Sequence, residues 1–219
     1  MQRFLNQIIE GDCLEVMREL PDKSVDLVLT DPPYGIGEAR SRNGTRSCLA
    51  LSKDYGQSDW DDAIPSEDYF KEMMRVSKNQ IIFGGNYFIE HLYNSPCWIV
   101  WDKDNGQNDF ADCELAWTSF KSAVRKIRYK WHGMLQENMK EKEQRFHPTQ
   151  KPIGLFEWIL DNYSQQGMTI LDPFLGSGTT AVAAHNTGRF FIGIEKEPKY
   201  CEIARQRVKQ AQSQQNLFG

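Results

Sequence analysis

The sequence predicts an α/β fold with a mainly parallel sheet that is covered by helices on both faces. Short apolar runs typical of strands alternate with amphipathic stretches typical of helices along most of the 219 residues. Three groups rich in Asp, Pro, Gly or Asn follow predicted strands directly, at residues 31–34, 83–86 and 172–179. Ligands bind at the carboxyl ends of the strands in sheets of this kind, so these groups are the first candidates for a site.

The individual elements follow from apolar periodicity and from proline. We expect strands near residues 7–9, 25–30, 80–83, 97–101, 114–117, 124–129, 169–171 and 190–194. We expect helices near residues 13–20, 66–76, 86–93, 152–163 and 179–186, and a last helix from Pro198 that frays within 210–215. The polar stretches 35–64 and 131–151 have the pattern of long loops, and such loops inside a domain are usually functional or disordered.

The composition is that of an ordinary globular protein. The chain is 40% hydrophobic and 26% charged, and it is long enough for one domain with a substantial core. We expect a cytoplasmic protein, because no stretch approaches the roughly 18–20 apolar residues of a membrane helix and the N-terminus lacks the apolar core of a signal peptide. The cysteines at 13, 48, 97, 113 and 201 form no CxxC pair, which predicts reduced thiols and no structural metal.

Basic charge is concentrated in two segments although the net charge is −4. The net charge argues against a protein that coats nucleic acid indiscriminately, but a local basic patch suits an enzyme that acts on nucleic acid. Residues 121–145 hold eight Lys or Arg against three acids, and residues 38–53 hold four against one. The candidate contacts are Arg40, Arg42, Arg46, Arg125, Lys126 and Arg128. A solvated, purely structural charged loop is the alternative for each segment.

A glycine turn follows the predicted strand 169–171 and precedes a helix. Gly176 and Gly178 allow the backbone to turn tightly beside a ligand, and Glu195 ends the next strand 17 residues after Gly178. An acidic residue at that place accepts hydrogen bonds from ribose hydroxyls in nucleotide-binding units. The turn lacks the third glycine of GxGxxG and the Gly-Lys-Ser/Thr of a P-loop, so a nucleoside without phosphates fits better. The alternative is a turn that needs its glycines only for the fold.

The sequence Asp31-Pro32-Pro33-Tyr34 ends an apolar strand and suits chemistry on an aromatic amine. The lone pair of such an amine is delocalised into the ring, so the nitrogen must rehybridise before it can attack a methyl group. Asp31 and the carbonyl of Pro32 can accept the two amine hydrogens, and Tyr34 can stack on the base. An enzyme must extrude the base from a duplex to reach its amine. The alternative is a simple proline turn.

These motifs together resemble the amino-methylating DNA methyltransferases. Residues 31–34 precede residues 172–179, and that order is similar to the β group of the family. The stretch His147-Pro148-Thr149-Gln150-Lys151-Pro152 resembles the segment that flanks the methionine end of the cofactor in that group, and Gly11-Asp12 lies where the family contacts the cofactor adenine. The resemblance covers about residues 5–208.

The resemblance implies a class I methyltransferase fold, which is a Rossmann-like, doubly wound, mostly parallel sheet of seven strands with one antiparallel strand and a circularly permuted motif order. It implies S-adenosylmethionine as methyl donor and adenine-N6 in double-stranded DNA as target. The implied catalytic residues are Asp31, Pro32, Pro33 and Tyr34. The implied cofactor residues are Asp12, Asp31, His147, Thr149, Lys151, Asp172, Pro173, Phe174, Gly176, Ser177, Gly178, Thr179 and Glu195.

The expected organisation is a single domain, 1–219, with a small DNA-recognition insertion around 121–146 and a mobile loop around 36–64. Homodimers are common in the β group, so a homodimer is also expected. The C-terminal residues Gln214–Phe218 resemble the short peptides that dock on bacterial sliding clamps. The alternative for these residues is a frayed helix end.

Several other functions remain open at this stage. A cytosine exocyclic amine would need the same chemistry, although relatives with that activity usually carry Ser in place of Asp31. RNA and protein amides are further alternative substrates. A cytosine carbon-5 enzyme needs a cysteine nucleophile, but Cys97 begins an apolar strand and is expected in the core. An NAD-dependent oxidoreductase would need the missing pyrophosphate loop, and a binding module would not need both motifs.

Overall fold

The computed structural model describes residues 1–36, 64–106, 111–132, 135–146 and 149–218. The strands are β1 (Gln7–Glu10), β2 (Val25–Thr30), β3 (Ser77–Phe83), β4 (Trp98–Asp102), β5 (Cys113–Thr118), β6 (Arg125–Arg128), β7 (Trp131–His132), β8 (Leu135–Gln136), β9 (Thr169–Asp172) and β10 (Phe190–Glu195). The helices are α1 (Cys13–Arg18), α2 (Glu67–Val76), α3 (Ile153–Tyr163), α4 (Thr179–Asn186) and α5 (Pro198–Phe218).

Eight of these strands form one mixed sheet in the order β1-β10-β9-β2-β3-β5-β4-β6. Seven of the eight run in the same direction, because only β5 pairs antiparallel with its neighbours β3 and β4. The α/β class and the single antiparallel strand are therefore confirmed. The expected count of seven strands is wrong for the described residues, since the basic strand β6 pairs parallel with β4 and extends the edge of the sheet.

The helices cover the two faces of the sheet, and alternating strand residues explain why. In β2, Leu27 and Leu29 pack into one core with α3, α4 and α5, while Val28 packs into a second core with α1 and α2. This period of two is the geometry of a strand that is buried on both faces. Each face removes apolar side chains from water, which is the main stabilising contribution to the fold.

Three segments differ from the sequence prediction. The helix expected at 86–93 is wrong, because the chain forms only two single 3₁₀ turns, Gly85–Tyr87 and Ile89–His91. Phe88 between them is buried while Ile89 and Tyr93 are exposed, so no continuous apolar stripe supports a longer helix. Within the stretch 131–151, β7 and β8 pair as a small antiparallel ladder. Helix α5 does not fray at 210–215 but continues to Phe218.

The structure also bears on membrane segments and on the thiols. Within the ranges that the structure describes, no helix is long and apolar enough to cross a membrane. Cys13, Cys97, Cys113 and Cys201 are free thiols, and Cys97 is buried in the core next to β4 as expected. Residues 37–63, which include most of the loop expected at 36–64, lie outside the described residues.

Candidate active site

A cavity of about 640 Å³ lies where β1, β2, β9 and β10 end. This volume is within the roughly 300–1,000 Å³ of typical small-molecule sites. Residues from both predicted motifs form its wall, although the motifs are far apart in sequence. The predicted site residues that line it are Asp12, Asp31, Pro33, Thr149, Lys151, Asp172, Pro173, Phe174, Gly176, Ser177, Thr179 and Glu195.

Asp31 follows β2 directly, and the prolines after it end the strand as expected. The two oxygens of its carboxylate have different partners. Oδ1 accepts a hydrogen bond from the hydroxyl of Tyr34 at 2.6 Å, and Oδ2 lies 2.5 Å from Nζ of Lys151. Since an ionised carboxylate offers about four lone-pair sites, Asp31 keeps acceptor capacity for a ligand amine. Pro32 is buried beside it.

Tyr34 is held by the segment that follows β3. Its ring stacks on Tyr87 with 4.9 Å between ring centroids, and the edge of Phe88 meets it at 6.0 Å. The ring also lies against Gly84, where a Cβ atom would come within 2.2 Å of the Tyr34 Cε1 atom. A glycine is therefore required at 84 for this arrangement, and its φ of +68° favours glycine as well.

Lys151 connects Asp31 to a second carboxylate that the sequence analysis did not identify, Glu114 of β5. Its Nζ lies 2.5 Å from Oδ2 of Asp31 and 3.1 Å from Oε2 of Glu114. Burial lowers the pKa of the Lys151 ammonium, but the carboxylates of Asp31 and Glu114 raise it by more. The net effect is a raised pKa, so Lys151 is a cation. Burial raises the pKa of Asp31, and Lys151 opposes that rise only in part. The pKa of Glu114 is lowered, because Lys151 and Lys103 together outweigh its burial.

Asp172 ends β9 and fixes the two motifs relative to each other. It accepts hydrogen bonds from the hydroxyl of Thr30 at 2.6 Å, from the hydroxyl of Thr180 at 2.5 Å and from the backbone N–H of Phe174 at 3.1 Å. Burial raises its pKa to about 6, although these hydrogen bonds act in the opposite direction. Asp172 therefore links the end of β2, the glycine turn and α4.

The two glycines of the turn have different tasks. Gly176 has a φ of +54°, and within the described parts of the chain no atom lies within 4 Å of the place where its Cβ would be. Its N–H donates to Oε2 of Glu195 at 2.7 Å, while Oε1 of Glu195 accepts from the N–H of Glu197 at 2.8 Å. Gly178 instead packs on α5, since its Cβ would lie 2.7 Å from that of Ala204. The described cavity wall includes Gly176 but not Gly178.

The far end of the cavity combines an acid with two aromatic rings. Asp12 caps α1 by accepting from the N–H of Leu14 at 2.8 Å, and its other oxygen accepts from the hydroxyl of Tyr69 at 3.1 Å. Tyr69 of α2 also lines the cavity, and its ring lies 6.0 Å from that of Phe174. Flat rings beside a hydrogen-bonding carboxylate suit a purine.

Sequence reasoning did not identify three residues of this region. Tyr69 belongs to an amphipathic helix and carries no separate signal. Gln150 lies within the stretch 147–152 but was assigned no role, yet its Oε1 accepts from Ser177 at 3.0 Å and from the N–H of Phe146 at 2.9 Å. Glu114 lies near the beginning of the antiparallel strand, whereas site residues were expected only after the ends of strands. The strand topology would have been needed to find it.

The remaining predicted residues lie away from the cavity or outside the described ranges. Arg125, Lys126 and Arg128 are exposed on the edge strand β6, and Asp102 pairs with Lys126 Nζ at 2.8 Å and with Arg128 Nε at 3.5 Å. Arg40, Arg42, Arg46 and His147 are not among the described residues. Tyr34 and Pro32 adjoin the cavity through Asp31 and Pro33 rather than forming its wall.

Comparison with known proteins agrees with the fold. Residues 100–206 match the model of the N6_N4_Mtase family, described as DNA methylase. The type II methyltransferase M.HinfI of Haemophilus influenzae is 27% identical over 97% of this chain and 71% of its own length. Among solved structures, M1.HpyAVI in complex with SAM is 25% identical, with a TM-score of 0.56 over 92% of this chain and 98% of that one. The cytosine-N4-specific PvuII DNA methyltransferase shares the fold, at 16% identity and a TM-score of 0.61 over 94% and 90% of the two chains.

The sheet order and the cavity at the strand ends define a class I methyltransferase, the class whose members take the methyl group from S-adenosylmethionine. Residues of both motifs line the cavity, and residues 100–206 are similar to DNA methylases. The fold, the cavity and the family match together support a DNA methyltransferase.

Proposed function

We propose that the protein transfers a methyl group from S-adenosylmethionine to the exocyclic amine of an adenine that is extruded from double-stranded DNA. The observation that carries the proposal is the position of Asp31, whose carboxylate lies on the cavity wall shared with the glycine turn. A carboxylate rather than a Ser hydroxyl at this place favours adenine, because relatives that methylate cytosine usually carry Ser there. Methylation of the cytosine amine remains the second candidate.

The cavity suits the cofactor in shape and in donor set. Tyr69 and Phe174 offer flat surfaces for its adenine, and Asp12 offers an acceptor at the same end. Glu195 has lone pairs left for ribose hydroxyls after its two backbone bonds. The open side of Gly176 leaves room for close approach of a ligand to the backbone. The cofactor supplies a methyl group on a positively charged sulfonium, which is already activated for direct transfer.

The residues after β2 would act on the amine. Asp31 accepts one amine hydrogen and the carbonyl of Pro32 accepts the other, which localises the lone pair on nitrogen. The lone pair forms the new N–C bond while the C–S bond breaks with its electron pair on sulfur. One amine proton then leaves through Asp31 to water. The enzyme contributes positioning and electrostatic stabilisation, and no covalent enzyme intermediate is needed.

Tyr34 would hold the extruded base. Its ring is stacked on Tyr87 and its hydroxyl is bonded to Asp31, so the ring is fixed beside the acceptor. Stacking of a base on an aromatic ring contributes about 1–3 kcal/mol. A prearranged ring would lower the entropic cost of capturing the base.

A labelling experiment tests this function. The protein is incubated with S-adenosylmethionine that carries a radioactive methyl group and with unmethylated DNA, and the DNA is digested to nucleosides. We expect label in N6-methyldeoxyadenosine from the wild type and none from Asp31→Ala, which should still bind the cofactor. Label in cytosine would overturn the choice of base, and wild-type turnover in Asp31→Ala would overturn the role of Asp31.

A further inference from the structure

Four side chains of alternating charge form a continuous row that ends at Asp31. Lys103 Nζ lies 2.6 Å from Oε1 of Glu114, and Oε2 of Glu114 lies 3.1 Å from Nζ of Lys151. Lys151 in turn lies 2.5 Å from Oδ2 of Asp31. All four side chains are largely buried, with 7% to 21% of each exposed. Charges are buried at a large cost in solvation unless they are paired, so this row is an organised feature of the interior.

The row crosses the sheet and is fixed by the backbone at each step. Lys103 follows β4 and Glu114 belongs to the adjacent strand β5, where Trp101 and Glu114 are paired in the ladder. Lys151 precedes α3, and its carbonyl accepts from the hydroxyl of Thr179 at 3.1 Å. Rigid secondary structure therefore determines where the ammonium of Lys151 stands relative to Asp31.

We infer that Glu114 is a positioning residue for methyl transfer, which acts through Lys151 on the carboxylate of Asp31, and that Lys103 limits how strongly it does so. The inference rests on the proposed role of Asp31. Glu114 itself is not among the described residues of the cavity wall, so it acts on the reacting atoms only through its neighbours.

The electrostatic reason is the charge that develops on the amine. Methylation places positive charge on the amine nitrogen until a proton leaves. Asp31 and Lys151 alone would form a neutral pair and could not stabilise that charge well. Glu114 adds one negative charge beside Lys151 and so leaves the group of three with a net charge of −1. In a buried site such a charge acts over short distances with little screening.

The same arrangement determines when Asp31 titrates. The groups that face Asp31 are Lys151, Glu114, the hydroxyl of Tyr34 and Asp172 at the end of β9. Burial raises the pKa of Asp31, and Glu114 raises it further while Lys151 lowers it. Protonated Asp31 cannot accept the amine hydrogen in the same way, so activity should fall as the pH drops through its pKa.

The test compares Glu114→Gln with Lys103→Gln in the full-length protein, with kcat measured from pH 5 to pH 9. Glu114→Gln should lower kcat about tenfold and move the acid limb of the profile to lower pH, because a negative charge near Asp31 is lost. Lys103→Gln removes a positive charge and should move the acid limb to higher pH. Cofactor affinity, measured by calorimetry, should stay within twofold in both variants. A merely structural role would lower stability without moving the limb in either variant.

A matched control is Glu72→Gln, because Glu72 is 18% exposed and ion-paired with Arg75 at 2.7 Å but lies on α2. It should leave the acid limb unchanged. If Glu114→Gln and Lys103→Gln both keep the wild-type limb, the inference is overturned. Should Glu114→Gln fail to fold, Lys103→Gln decides the matter alone. An active Asp31→Ala would instead overturn the proposed function, so the two failures are distinguishable.

Discussion

The aromatic ring of Tyr34 lies directly against the backbone of Gly84, with no room for a side chain between them. The contact joins the segment after β2 to the segment after β3, and it explains why the chain needs Gly84 at the end of a buried strand. The hydroxyl at the other end of the ring reaches Asp31. The position of Tyr34 is therefore determined from both ends.

Substitution of Gly84 should damage catalysis through Tyr34. In Gly84→Ala the added methyl group would lie 2.2 Å from Cε1 of Tyr34, so the ring must leave its place beside Asp31. We expect kcat/KM for DNA to fall at least tenfold, with cofactor affinity unchanged. Gly106→Ala is the matched control, since Gly106 has a φ of +69° and none of the described residues has an atom within 4 Å of its Cβ position. In both variants the alanine must adopt a left-handed backbone conformation, which costs about 1–2 kcal/mol. Equal reductions of activity in the two variants would therefore contradict the role of the contact between Tyr34 and Gly84.

Asp172 should make folding stability depend on pH in an unusual direction. Burial raises its pKa from 3.8 to about 6, so the folded protein holds this proton more tightly than the unfolded chain. The contribution of Asp172 to the free energy of unfolding is therefore fully present below about pH 4 and is lost as the pH rises through about 6, by ~3 kcal/mol in total.

Urea denaturation of the wild type and of Asp172→Asn, compared between pH 4 and pH 7, measures this effect. The neutral Asn does not titrate, so the stability of the variant relative to the wild type should rise with pH. Asp26→Asn is a control of opposite sign, because burial of Asp26 is outweighed by Lys78 and the N–H of Thr169 together, which lower the pKa of Asp26. A pH-independent difference for Asp172→Asn would show that Asp172 is ionised normally in the folded protein.

The edge strand β6 offers a test of DNA binding in which one variant should bind more tightly and another more weakly. Asp102 forms ion pairs with Lys126 and Arg128, and the pKa of Asp102 is lowered to about 2 by Lys126, by the N–H of Asp104 and by Arg128. Asp102→Asn should free both cations for phosphates and tighten DNA binding severalfold at low salt. Alanine at Arg125, Lys126 and Arg128 should weaken binding and reduce the salt dependence, by roughly one unit of slope for each phosphate that the variant no longer neutralises.

Fluorescence anisotropy with a labelled duplex at several salt concentrations measures both effects. Asp161→Asn is the control, because the ion pair of Asp161 at 3.0 Å is with Arg189, which lies outside β6. If the salt dependence of DNA affinity were unchanged in the triple alanine variant, DNA would bind to another surface and β6 would not be a contact.

The C-terminal helix provides a separate prediction about a partner. The packed part of α5 extends to Ala211, and residues 212–214 are exposed, so the end of the helix extends beyond the core. We propose that Gln214–Phe218 binds a bacterial sliding clamp. Deletion of residues 213–219 should abolish clamp capture in a pull-down and leave methylation intact. Failure of the full-length chain to bind the clamp would end this proposal.

The sequence predicted the parts of the site that depend on local chain geometry. Proline after a strand and glycine before a helix constrain the backbone locally. The positions of Asp31 and Gly176 could therefore be predicted from a few neighbouring residues. The pairing of β4 with β6 and the antiparallel direction of β5 depend on residues far apart in sequence. A short stretch of sequence therefore cannot reveal either feature. Glu114 reaches the site because β5 runs against its neighbours and presents its first residues, not its last, at the ligand edge.

The helix expected at 86–93 failed for a related reason. Its spacing allowed a helix, but the ring of Phe88 packs below the sheet edge and Tyr87 stacks on Tyr34. These tertiary contacts outweigh the weak intrinsic preference for a helix. Tyr87 and Phe88 also hold the ring of Tyr34 in place. The sequence analysis predicted only that Tyr34 stacks on the base.

The hydrogen bonds from Ser177 to Gln150 and from Thr179 to the carbonyl of Lys151 have a consequence for protein engineering. They connect the glycine turn to Gln150 and to Lys151, which contacts Asp31. The residues proposed for the methyl donor and those proposed for the target base are therefore held together by the same hydrogen bonds. A chimera that imports β9, α4 and β10 from a relative must therefore import residues 150 and 151 with them. If the boundary of the exchange lay between residues 152 and 169, residues 150 and 151 would come from one protein and the glycine turn from the other. The two hydrogen bonds would then have to form between residues of different proteins.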